Sequence, residues 1–141
     1  MAREYPSHPL PGVLALVERN GRLLMVQRGR EPDLGKWGYP GGLVELGETV
    51  AQAALRELAE ETGLRAEALG VVDVFEVITP DQAGRIRYHF VLSVVRCLCS
   101  GGEPVAADDA ADAGWFTLAE IEGGELPCSV NAPRLARMVL T

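Results

Sequence analysis

Apolar positions along the chain follow two periods, and the change from one to the other marks out the elements. Gly12 to Glu18 and Arg22 to Arg28 are apolar-rich runs separated by Arg19-Asn20-Gly21. Asn-Gly between such runs predicts a β-hairpin. Two longer strands are predicted over 66–78 and 85–99, flanking the turn-rich segment Thr79-Pro80-Asp81-Gln82-Ala83-Gly84. In the second, Ile86, Tyr88, Phe90, Leu92 and Val94 alternate with Arg87, His89, Val91 and Ser93, so one face of that strand is apolar. Between the strand pairs the spacing turns helical: Ala51, Ala54, Leu55, Leu58 and Thr62 gather on one side, which is expected to face the core. Thr49 followed three residues later by Gln52 is a capping box, and Gly63 is a C-terminal stop, so one helix is predicted over Thr49 to Thr62.

The remaining segments are less regular. Gly29 to Lys36 and Gly101 to Ala113 read as loops, and Trp37-Gly38-Tyr39-Pro40-Gly41-Gly42 reads as a glycine-rich turn leading toward the helix. Gly114 to Leu118 reads as a short strand, Ala119 to Glu122 as a brief helix, and Asn131 to Leu140 as a terminal helix with Pro133 in its first turn. Strand pairs before and after a helix, with a helix at the end, predict a mixed sheet between helical layers, of the α/β class.

The central helix carries candidate chemistry. Glu57, Glu60 and Glu61 share one arc of it, because residues three and four apart are neighbours on a helix surface. A solvated acidic face is the bland alternative and fits poorly. Glu57 and Glu61 form a like-charge pair costing roughly 0.2–0.5 kcal/mol, and the cluster lies toward the C-terminal end, where the helix dipole disfavours anions. A hard divalent cation resolves the conflict, since Mg²⁺ takes oxygen from one or two carboxylates, keeps several waters and bridges to phosphate. Arg56 precedes Glu57 and has two readings: orienting a neighbouring carboxylate, which is favoured, or gripping substrate. Glu48 precedes the helix, where a carboxylate suits the exposed N–H groups, and capping alone would explain it.

The stretch from Gly42 to Leu64 reads GLVELGETVAQAALRELAEETGL. It resembles the Nudix box, G-x5-E-x7-R-E-U-x-E-E-x-G-U with U a bulky aliphatic residue. Gly42, Glu48, Arg56, Glu57, Leu58, Glu60, Glu61, Gly63 and Leu64 meet every specified position. The resemblance implies a Nudix α/β/α sandwich over nearly the whole chain and a pyrophosphohydrolase dependent on Mg²⁺, with Mn²⁺ as the alternative. It implies Glu57, Glu60 and Glu61 as metal ligands with the carbonyl of Gly41, and Glu48 and Gly42 as supporting residues. The general base varies within the family, which leaves Glu57, Glu60 and the late-loop Asp108 and Asp109 as candidates.

Length, charge and cysteines fit that picture. The 141 residues suit one domain spanning 1–141. A net charge of −7 argues against binding a nucleic-acid polymer. The sequence has no leader and no apolar run long enough for a bilayer, so no membrane partner and a cytoplasmic location are expected. Cys97 and Cys99 lack zinc-site spacing and read as core thiols. Beyond the box, Gly35 to Pro40, Arg87 to Val91 and Asp108-Asp109-Ala110 leading to Trp115 resemble the small ADP-ribose pyrophosphatase-like branch. That implies a small nucleotide substrate, ADP-ribose cleaved to AMP and ribose 5-phosphate, and a possible homodimer. Arg28 and Arg87 are candidates for phosphate or ribose, and Tyr39 for stacking on a base. The alternatives are a triphosphate pyrophosphatase clearing damaged nucleotides and a Nudix-derived ligand-sensing module. The sensor would tolerate a broken box and need a DNA-binding segment, and neither condition is met.

Overall fold

A computed structural model describes residues 3–140. Its elements are strands β1 (Leu10–Arg19), β2 (Arg22–Arg28), β3 (Trp37–Gly38) and β4 (Gly41–Leu43), helix α1 (Val50–Thr62), strands β5 (Glu67–Pro80), β6 (Ile86–Leu98) and β7 (Ala110–Thr117), and helices α2 (Leu118–Glu122) and α3 (Ala132–Val139). The first hairpin turns through Asn20 and Gly21, at φ 53° and 76°. That is the twist-matched two-residue turn the Asn-Gly pair predicted.

The sheet runs β3-β2-β1-β6-β5, with β4 also paired to β1 and β7 to β2. β1 and β6 are parallel and the other pairs antiparallel, so the sheet is mixed as expected. Strand alternation sorts residues to its two faces. Val13, Ala15 and Val17 of β1, Leu24 of β2 and Val95 and Cys97 of β6 pack with Ala53, Ala54 and Leu58 of α1. Leu16, Leu23, Met25 and Val94 face the other way, onto Ile121, Leu135 and Ala136 of α2 and α3. Helices therefore cover both faces, giving the α/β/α sandwich. Among the described residues no helix is long and apolar enough to cross a membrane.

Three expectations shift. The buried face of α1 comprises Ala53, Ala54, Leu58, Glu61 and Thr62, while Ala51 and Leu55 are only half-buried. The helix is thus rolled so that an acidic side chain joins the core side, an arrangement apolar periodicity cannot register. β7 begins at Ala110, inside the segment read as a loop. Its small and acidic residues have little strand preference of their own and are extended by pairing with β2, from Arg28↔Ala110 to Arg22↔Thr117. Trp37-Gly38 and Gly41–Leu43 are short strands rather than one turn. β5 is an edge strand with bulges at Ala68/Gly70 and Val71/Asp73, and Leu69, Val71, Val74 and Ile78 point outward from it.

Candidate active site

Two local devices bring the acidic helix against the sheet. The capping box closes as predicted: the Thr49 hydroxyl accepts from the Gln52 amide at 3.1 Å, and the Gln52 side chain accepts from the Thr49 amide at 2.9 Å. Gly63 ends the helix in the left-handed region at φ 74°. Glu48 does not cap the helix. Its carboxylate accepts from Nε and Nη2 of Arg56 at 2.6 and 3.0 Å and from the Glu45 amide at 2.9 Å.

The second device is the glycine pair of β4. A Cβ on Gly42 would lie 2.5 Å from the Glu57 carboxyl carbon and one of its oxygens, so this strand approaches the helix closely only because it lacks a side chain there. A Cβ on Gly41 would lie 2.1 Å from the Val13 carbonyl oxygen, so Gly41 is fixed by strand pairing as well. The Gly41 N–H donates to Glu61 at 2.9 Å.

Arg56 binds the loop, the strand and the helix together. Its fork grips Glu48, its Nη1 donates to Glu57 at 2.7 Å and to Glu60 at 3.3 Å, and its Nη2 also reaches the Leu43 carbonyl at 2.9 Å. The bidentate partner is Glu48, and Glu57 is held by a single, short, charge-assisted bond. These bonds keep the Arg56 proton on, and the Arg56 hydrogen bond holds the Glu48 carboxyl below its usual range.

Burial and charge oppose one another at the remaining carboxylates. Glu61 is only 6% exposed. Burial, and then the neighbouring charge of Glu57, push its pKa up to about 8, against the opposing pull of the Gly41 amide and Arg28. Burial also raises Glu57, with Arg56 opposing. Glu60 is half-exposed and turned toward Arg56. Glu57 and Glu61 are thus together, while the third carboxylate is drawn aside. Among the described residues no three His, Cys, Asp or Glu side chains converge closely enough to hold a metal ion. Two mutually repelling carboxylates at a partly buried, all-oxygen position still fit a hard divalent cation, which needs only one or two carboxylates beside water and phosphate.

Beside this cluster opens a cleft of about 270 Å³. Gly41, Gly42 and Leu43 form one wall, Phe75, Val77, Phe90 and Leu92 form an apolar wall, and Asn131, Ala132 and Leu135 line the start of α3. Arg28 and Tyr39 line it too. Burial lowers the Arg28 pKa, with the charges of Asp33 and Glu61 opposing. The Tyr39 hydroxyl is committed to the Ala132 carbonyl at 2.6 Å, which ties β3–β4 to α3.

Arg87 lies elsewhere, paired with Glu4 at 2.9 Å. Asp108 and Asp109 are exposed and outside the cleft, and Asp109 pairs with Arg30 at 3.4 Å. Sequence reasoning missed Arg3, Ser129 and Asn131, which also line the cleft. Nothing in local spacing marks them, because tertiary docking brings them there.

Comparison with known proteins agrees with the box and the fold. An ADP-ribose pyrophosphatase of Methanocaldococcus jannaschii is 38% identical over 112 residues, covering 79% of this chain and 63% of that protein. A putative 8-oxo-dGTP diphosphatase 2 of Mycobacterium tuberculosis is 40% identical over 111 residues, covering 77% and 74%. The crystal structure of a MutT Nudix hydrolase from Burkholderia pseudomallei superposes with a TM-score of 0.79 at 31% identity, covering 96% of this chain and all of that one. With residues 7–136 matching the NUDIX domain, the chain belongs to the Nudix family.

Proposed function

We propose that this chain hydrolyses a nucleoside diphosphate linked to a second group, with ADP-ribose as the preferred substrate and AMP and ribose 5-phosphate as products. The observation that carries the reading is the pairing of Glu57 with Glu61 behind Gly41 and Gly42, which line a cleft that also holds the half-buried Arg28. Carboxylates so placed destabilise the protein unless a cation joins them, and the cleft is large enough for a nucleotide moiety.

Glu57, Glu60 and Glu61 would hold the cation with the Gly41 carbonyl, Glu60 leaving Arg56 to do so. Bound Mg²⁺ or Mn²⁺ supplies charge neutralisation across the pyrophosphate and aligns water with the leaving group. Water adds to one phosphorus and the bridging P–O bond breaks, the bridging oxygen leaving with the other phosphate. Glu57 accepts the proton of that water, because burial raises its basicity and Arg56 fixes its position. Arg56 positions Glu57 and, through Glu48, the loop before the helix. Arg28 takes a phosphate oxygen, and Tyr39 forms part of the wall. Asp108 and Asp109 have no part in this mechanism.

The archaeal relative named an ADP-ribose pyrophosphatase favours ADP-ribose. So does the polar rim of Asp33, Ser129 and Asn131, which offers partners for a second ribose that a triphosphate would leave unpaired. The mycobacterial relative named an 8-oxo-dGTP diphosphatase favours the second reading, a triphosphate pyrophosphatase. One panel separates them: ADP-ribose, NADH, dinucleoside polyphosphates and normal and oxidised triphosphates with Mg²⁺, products resolved by chromatography. ADP-ribose should give the highest kcat/KM. Fastest turnover of a triphosphate with release of pyrophosphate would replace the substrate and keep the site. Full activity in excess EDTA, or in both Glu57→Gln and Glu61→Gln, would remove the mechanism itself.

A further inference from the structure

Residues 3–5 lie against the turn between β5 and β6, and four contacts fasten them there. The Tyr5 hydroxyl donates to Asp81 at 2.9 Å, and the Tyr5 amide donates to the Arg87 carbonyl at 2.7 Å. The Arg85 guanidinium lies 4.6 Å from the Tyr5 ring centre, and Arg87 Nε donates to Glu4 at 2.9 Å. Tyr5 is held at φ 50°, in the left-handed region that a bulky residue keeps only where its surroundings impose it. Two residues earlier, Arg3 lines the same cleft as Arg28, Gly41 and Gly42. The charge of Arg3 acts on both Arg28 and Glu57. Among the described residues, none of the ion pairs includes Arg3 or Arg28.

We propose that Arg3 is a substrate-binding residue whose guanidinium takes a phosphate oxygen of the pyrophosphate, and that the Tyr5–Asp81–Arg85 clasp positions it in the cleft. The inference rests on the hydrolytic reading of the same cleft. Neither guanidinium in the cleft has a carboxylate within ion-pair distance among the described residues, so a multiply charged anion can engage both at once. A planar fork suits two oxygens of one phosphate better than an ammonium does. The clasp explains why an otherwise unanchored segment keeps a strained backbone: it holds Arg3 in place before substrate arrives, which removes part of the ordering cost of binding.

The test uses calorimetric binding of inorganic pyrophosphate with Mg²⁺, alongside steady-state hydrolysis of ADP-ribose. Arg3→Gln should weaken pyrophosphate binding and raise KM by about tenfold, the value of one charged hydrogen bond, with kcat within about twofold. Arg3→Lys should fall between Arg3→Gln and wild type. Tyr5→Ala should raise KM in the same direction. The double variant should add little to Arg3→Gln, because the clasp acts only through Arg3. Arg65→Gln, an equal change of net charge at an exposed position outside the cleft, should bind as wild type does. Wild-type affinity in Arg3→Gln, or equal losses in Arg3→Gln and Arg65→Gln, would overturn the assignment. A wild type that binds pyrophosphate through Arg3 but hydrolyses nothing in the panel would remove the hydrolytic reading and leave Arg3 standing. Normal hydrolysis with Arg3→Gln unchanged would do the reverse.

Discussion

Replacing Gly42 by alanine should disable catalysis while sparing the fold, and the neighbouring Gly41 should behave in the opposite way. A Cβ at position 42 lies 2.5 Å from Cδ and Oε1 of Glu57. Reaching an ordinary contact means moving that carboxylate by about 1 Å. The obstacle is the far end of a flexible side chain, so the backbone can stay, but the shift breaks the 2.7 Å bond from Arg56 Nη1 and carries the carboxylate off its position. Misplacement by about 1 Å costs on the order of 10²-fold in rate, or about 2.7 kcal/mol of barrier. At position 41 the Cβ meets the Val13 carbonyl oxygen at 2.1 Å, within the β1–β4 pairing, and no side-chain motion can relieve it. Gly42→Ala should therefore lose about 10²-fold in kcat/KM with its melting temperature within a few degrees of wild type. Gly41→Ala should lose the folded state or melt far earlier. Steady-state kinetics with Mg²⁺ and calorimetric melting measure both. Full activity in Gly42→Ala, or a well-folded Gly41→Ala, would refute the geometry from which both effects are drawn.

Three further outcomes follow from single contacts. Arg56→Lys should lower kcat with KM nearly unchanged and reduce thermal stability, since one ammonium cannot serve Glu48, Glu57 and Leu43 together; a raised KM with kcat intact would place Arg56 on the substrate. Tyr39→Phe should cost about 1 kcal/mol, some 3–5 °C, by removing the buried bond from its hydroxyl to the Ala132 carbonyl, and leave KM alone; a large rise in KM would show that the hydroxyl serves substrate instead. In EDTA the raised pKa of Glu61 makes its contribution to stability fully present below the unfolded value of 4.5 and lost as pH rises through about 8. Melting should fall across that window, Mg²⁺ should restore it increasingly with pH, and Glu61→Gln should flatten the EDTA profile. An equal Mg²⁺ effect at pH 5 and pH 8.5 would contradict this linkage.

What the sequence disclosed and what it withheld follow the range of the interactions involved. The caps of α1, the Asn-Gly turn and the alternation of β6 are set by residues within a few positions of one another, and they were legible. The box spacing located Glu57 and Glu61 for the same reason. The partner of the Arg56 fork was not legible, because Glu48 lies eight positions away across the start of the helix and could as well have capped it. The second half of β7 is legible as a strand, but its first half, Ala110 to Ala113, is not, because its strand character comes from pairing with β2 rather than from its own residues. Arg3 carried no local signal at all, since a clasp of Tyr5 to Asp81, 76 positions away, decides where it goes.

Charge is arranged in two sets, one beside the cleft and one in it. Glu57 and Glu61 repel each other near the C-terminal end of a helix whose last turn contains no basic residue, and Arg3 and Arg28 share the cleft without an ion-pair partner among the described residues. The carboxylates call for a cation and the arginines for a polyanion, and a metal-bound pyrophosphate satisfies both at once. Arg56 lies outside the cleft and holds Glu57 and Glu60 through Nη1. Charge left unbalanced in the free protein is then balanced by the ligand of the proposed reading, so part of the binding energy comes from relief of that imbalance.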